Sequence, residues 1–107
     1  MSTFDKREEG FEKKYALDEE QKFKAEARRN KLLGLWTAGQ LGLEGDAAAA
    51  YAREVVAADF EEAGDGDVVR KVVGDLTAKG VPVSEPAIRA KMDELMATAV
   101  LQVKAGT

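Results

Sequence analysis

The first thirty-one residues of the chain cannot bury a core of their own, and that asymmetry limits every fold the chain can adopt. After Met1, the large apolar side chains there are Phe4, Phe11, Tyr15, Leu17 and Phe23, set among nine basic and eight acidic residues. So few apolar groups cannot offset the ordering of such a segment, which must be a solvated helix, a disordered arm, or a surface for something else. The remaining residues carry seven basic and twelve acidic side chains and nearly all the helix-spaced apolar positions. The core must therefore form there.

From residue 18 onward the pattern predicts four helices, near 18–43, 46–62, 66–79 and 84–105. Asp18, Glu19 and Glu20 suit a helix N-terminus, and Glu20–Lys24 and Asp18–Lys22 are spaced to pair one turn apart. Leu32, Leu35, Trp36 and Leu43 continue a helical stripe. Gly45 then Asp46 reads as a stop followed by an N-cap, with Ala48, Tyr51, Ala52, Val55 and Val56 facing inward and Phe60 near the helix end. Val68, Val69, Val72, Val73 and Leu76 fit a period of 3.6 better than 2, so the valine-rich stretch reads as helix, capped by Asp65 or Asp67 and stopped by Gly80. Ser84 caps the last helix, Pro86 suits its first turn, and Ile88, Met92, Leu95, Met96, Ala99 and Val103 form its apolar face. The expected fold is all-α: a four-helix bundle over 18–107, carrying a flexible or amphipathic helical arm over 1–17.

Composition excludes several functions. The chain has no cysteine and no histidine, which removes thiol chemistry, the commonest general base and the commonest metal ligand; a non-enzyme is expected. A net charge of −4 argues against nucleic acid as partner. No apolar run is long enough to cross a bilayer, and the N-terminus lacks the apolar region of a secretory signal, so an intracellular protein without direct membrane insertion is expected. The acidic cluster Asp59, Glu61, Glu62, Asp65 and Asp67 does not match a calcium loop and reads as a helix end with caps. Arg28, Arg29 and Lys31 form the basic cluster, able to hold phosphates or to lie as a solvated turn. Trp36 reads as core more readily than as a base-stacking platform.

Phe4, Phe11 and Tyr15 carry the sharper signal. Spacings of seven and four put the three rings within about 40° of one helix face. Lys6, Arg7, Glu8, Glu9, Glu12, Lys13 and Lys14 occupy the others. An amphipathic segment with aromatic anchors, outside the bundle, has the form of a helix-in-groove ligand.

The stretch F-K-A-E-A-R-R-N-K-L-L-G-L-W-T-A-G-Q-L-G at 23–42 resembles the zeta subunit family of F-type ATP synthase inhibitors of alphaproteobacteria. The likeness continues at 4–15, 50–71 and 88–95, so it covers nearly the whole chain in order. The resemblance implies a four-helix bundle with an inhibitory N-terminal segment that enters a catalytic α/β interface of the synthase and blocks rotation in the hydrolysing direction. Its implied partner is the soluble catalytic sector, with its alpha, beta and gamma subunits; its implied location is the cytoplasm, at the inner face of the plasma membrane. The inhibitory positions carried over are Phe4, Asp5, Arg7, Glu8, Phe11, Glu12, Lys14 and Tyr15. The family is also linked to ADP or ATP as a regulatory ligand rather than a required cofactor, with Arg28, Arg29, Lys31 and Trp36 as candidate contacts and no metal site. Gly10 and Leu17 depart from the family pattern, and without histidine the chain has no imidazole pH switch.

Overall fold

A computed structural model describes residues 17–59 and 64–106. These contain four helices: α1 (Glu19–Gln40), α2 (Gly45–Ala58), α3 (Gly66–Ala78) and α4 (Glu85–Lys104). The fold is all-α. The valine-rich stretch is helical, with Val68, Val69, Val72 and Leu76 buried.

The long helix α1 is the spine, packing most extensively against α2 and α4 and touching α3 as well. The main core gathers Leu33 and Ala38 of α1, Tyr51 and Val55 of α2, four residues of α3, and Ile88 and Met92 of α4. A second cluster joins Leu17 and Ala25 to Met96 and Val100, with Val103 packed against it. Leu17, the last residue assigned to the arm from sequence, is thus buried against α4.

Helix ends follow local chemistry. Asp18 closes a reciprocal capping box with Gln21, its carboxylate accepting from the Gln21 backbone N–H at 2.7 Å. Ser84 accepts from the Ala87 N–H at 3.3 Å, and Pro86 lies in the first turn of α4. The first helix stops at Gln40, short of the expected residue 43, because Gly42 takes a φ of 79° and the Leu43 N–H turns back to the Ala38 carbonyl at 2.8 Å. The same motif ends α3, where Val81 N–H reaches the Leu76 carbonyl at 2.9 Å beside Gly80.

At two helix starts the N-cap residue makes no side-chain cap hydrogen bond. The N-cap position of α2 is Glu44, without a side-chain cap, and Asp46 lies inside the first turn, where its charge still faces the positive helix end. Asp65 occupies the N-cap position of α3 but uses its carboxylate on Arg89 at 3.2 Å. Asp67 is buried inside the first turn and accepts from the Val68 N–H at 2.9 Å.

Gly34 sets the spacing between α1 and α2. A Cβ built there would lie 2.6 Å from the Ala52 Cα, far inside contact distance. Gly34→Ala is therefore expected to destabilise the fold by about 1–3 kcal/mol in urea denaturation. Gly74, helical and with open space around its Cα, provides the opposite case. Gly74→Ala should stabilise by about 0.5–1 kcal/mol through helix propensity alone.

Candidate functional site

Phe4, Asp5, Arg7, Glu8, Phe11, Glu12, Lys14 and Tyr15 lie outside the described residues. So does Phe60, the expected apolar end of the second helix, with Glu61 and Glu62. The described part fixes the point from which the arm departs. Leu17 is buried among Ala25, Met96 and Val100, one residue before the Asp18 cap.

Beside that point runs a groove of about 530 Å³, lined by Phe23, Lys24, Ala27, Arg28 and Lys31 of α1, Val56 of α2, and Val103 and Gly106 at the end of α4. Its floor is apolar and its cations come from α1 alone. Phe23 is 60% exposed, unusual for a phenylalanine on the helix that forms the spine. Lys24 pairs with Glu20 at 2.9 Å, and the Arg28 guanidinium donates to the Gln102 carbonyl oxygen at 2.7 Å, tying α1 to α4 along the groove.

The four residues suggested for a nucleotide are not all together. Arg28 and Lys31 line the groove; Arg29 and Trp36 do not. Arg29 donates through Nε and Nη2 to the Asn30 side-chain oxygen, both at 3.1 Å. Trp36 packs against the main core, with the Lys91 ammonium 5.2 Å from its ring centroid. Sequence spacing missed Phe23, Lys24 and Val56 as partners of Arg28 and Lys31. The signal available was the four-residue step Lys24–Arg28, followed by Lys31.

Two other polar clusters link elements of the bundle, one half-buried and one at its surface. The Tyr51 hydroxyl donates to Asp75 at 2.8 Å, and Lys71 meets the same carboxylate at 3.1 Å while lying over the Tyr51 ring. Burial, then the hydrogen bond to Asp75, pushes the Tyr51 phenol well above its ordinary pKa, so it stays neutral. Arg89 bridges Glu85 and Asp65, and those two hydrogen bonds raise its already high pKa. Among the described residues no acidic group is arranged to hold a metal ion.

Asp59, at the C-terminal end of α2, has its pKa raised chiefly by burial. Arg29 opposes the rise, as does the Asn30 amide, which does not reach the geometry of a formed hydrogen bond; Asp67 and Asp65 add to it. The folded chain thus holds this proton more tightly than the unfolded chain, and the ionised form also faces the negative end of a helix dipole. The Asp59 contribution to stability is therefore greatest below the ordinary carboxylate pKa and is lost as pH rises through the folded value. Asp59→Asn is expected to raise the melting temperature at pH 7, with the gain shrinking toward pH 4, in thermal melts across that range.

The described residues form a small all-α bundle of four helices. The family model described as ATPase inhibitor subunit zeta matches residues 1–102, nearly the whole chain, and the chain belongs to that family. One solved relative, determined by NMR in solution, is 59% identical; the match covers 79% of this chain and 96% of that one, with a TM-score of 0.69. No curated protein sequence matches the chain at a significant level. An inhibitory, regulatory role in association with ATP synthase follows from the family. No described helix is long and apolar enough to cross a membrane.

Proposed function

We propose that the chain inhibits ATP hydrolysis by the F-type synthase through residues 1–16, which enter a catalytic α/β interface of the soluble sector next to the rotor and block rotation in the hydrolysing direction. The supporting observation is that the inhibitor family match runs from residue 1, so it includes the segment bearing Phe4, Phe11 and Tyr15. Ordering about fifteen residues costs about 1–2 kcal/mol each in backbone entropy, and three aromatic rings on one face are the groups able to offset it. Asp5, Arg7, Glu8, Glu12 and Lys14 would then set register against charged walls of the interface. The bundle stays outside as the handle.

Inhibition is read by adding the protein to the soluble ATPase sector and following hydrolysis. Phe11→Ala with Tyr15→Ala should weaken inhibition at least about tenfold, the loss of roughly 1.4 kcal/mol or more of binding, while circular dichroism is unchanged. Truncation should stop before Leu17: removal of 1–15 is expected to abolish inhibition and leave the bundle folded. Undiminished inhibition by either chain would refute the arm mechanism.

A second reading, a bundle that binds ADP or ATP, is favoured by one observation: Arg28 and Lys31 share a groove with an exposed aromatic ring, of a volume that suits a small ligand. In this reading the phosphates lie on Arg28 and Lys31, with Arg29 and Trp36 uninvolved. Titration with ADP should then shift the amide signals of Ala27, Arg28 and Lys31 and leave those around Trp36 in place.

A further inference from the structure

We infer that in the resting chain the groove between α1, Val56 and Val103 is the docking site of the chain's own residues 4–15, so that the aromatic face offered to the ATPase is covered until it is displaced. The inference for inhibition rests on the arm mechanism above; the docking itself does not.

Position comes first. Leu17 is held in the cluster with Met96 and Val100; Val103 packs against that cluster and also lines the groove. The arm therefore begins at the groove's own wall. Tyr15 lies two residues from Leu17 and Phe11 six, reaches of up to about 7 Å and about 20 Å. Phe23 is only about 6 Å along α1 from its first residue. Those spans are long enough to bring both rings to the groove.

The chemistry matches in a second way. The groove combines apolar side chains, Phe23, Ala27, Val56 and Val103, with cations on one side only: Lys24, Arg28 and Lys31, all from α1. Wound as a helix, the arm puts Asp5, Glu8 and Glu12 within about 60° of one another, along one flank of the aromatic face. Arg7 and Lys14 fall on its other flank. A one-sided acidic flank beside three rings complements a one-sided basic rim beside an apolar floor. Run the other way round, the arm would set Arg7 and Lys14 against that rim, so the charges also choose the orientation.

Paramagnetic relaxation in the full chain tests this. The sequence has no cysteine, so Glu9→Cys gives a single site for a nitroxide. Docking predicts a several-fold loss of amide signal at Ala27, Val56 and Gly106, with Thr77 and Lys79 at the C-terminal end of α3 unaffected. Phe23→Ser, at a side chain already largely in solvent, and Lys31→Glu should each restore the signals at Val56 and Gly106 without loss of helicity. Signal loss that survives both substitutions, or none at all in the parent, overturns the proposal. Loss between spin-labelled and isotope-labelled copies in separate molecules would put a second chain in the groove and overturns it equally. On the functional side, Phe23→Ser should lower the concentration for half-inhibition by about three- to tenfold, because a larger fraction of chains offers the arm. A chain that docks its arm but never inhibits would refute the arm mechanism and leave the docking standing.

Discussion

The contact on which the bundle depends is the approach of α2 to α1 at Gly34. With no Cβ on Gly34, the Ala52 backbone comes within what would be 2.6 Å of that atom, and Val55 closes over the same spot. Small residues at such a crossing let two helices share one layer of core side chains rather than two. That closeness helps the four helices bury Leu33, Val55, Val68, Val72, Leu76 and Ile88 almost completely. Widening the crossing would loosen α3 too, since its valines share one core with Leu33 and Ala38 of α1 and Tyr51 and Val55 of α2.

Tight packing carries polar costs in the same region. Asn30 Nδ2 and Thr37 Oγ1 are buried on the inner face of α1 without a hydrogen-bond partner, each worth about 1–3 kcal/mol of lost solvation. Asp59 is held beside Asn30 and Arg29 at the wrong end of a helix dipole. Asn30 and Asp59 lie near each other at the C-terminal end of α2. Stability there has been traded away, whereas the Tyr51–Asp75–Lys71 arrangement between α2 and α3 is fully satisfied.

Periodicity made the four helices legible, because Val68/Val69, Val72/Val73 and Leu76 repeat at a spacing that only a helix places on one face. Ser84–Pro86 and Gly80 marked boundaries through their own backbone chemistry. The end of α1 was less legible. Three leucines past Gly34 extend the apolar stripe to residue 43, yet Gly42 adopts a positive φ and ends the helix first; Leu43 is then apolar because it folds back over the turn. The groove was invisible for a related reason. It is assembled from Phe23, Val56 and Val103, residues whose separation in sequence says nothing of their neighbourhood, and Val56 reads as ordinary core in its own helix. Asn30, Thr37 and Asp67 were equally hidden, since burial of a polar side chain leaves no periodic signature.

Leu17 ties the arm to the bundle. An arm attached by a solvated linker would sample a wide volume around the bundle; an arm joined to the bundle at a Leu17 buried against α4 starts from a fixed point. Fixing one end raises the local concentration of the aromatic face at the groove, so contacts too weak to hold a separate peptide suffice. The same weakness is functionally useful. A tethered contact of a few hydrophobic side chains and rim charges can be displaced by a larger, drier interface that engages all three rings, whereas a tightly buried one could not. Leucine at position 17 provides the fixed end at the cost of a titratable group there. On the docking proposed above, release of the arm would be governed by competition between two surfaces for one aromatic face, and with no histidine in the sequence no imidazole protonation would set it.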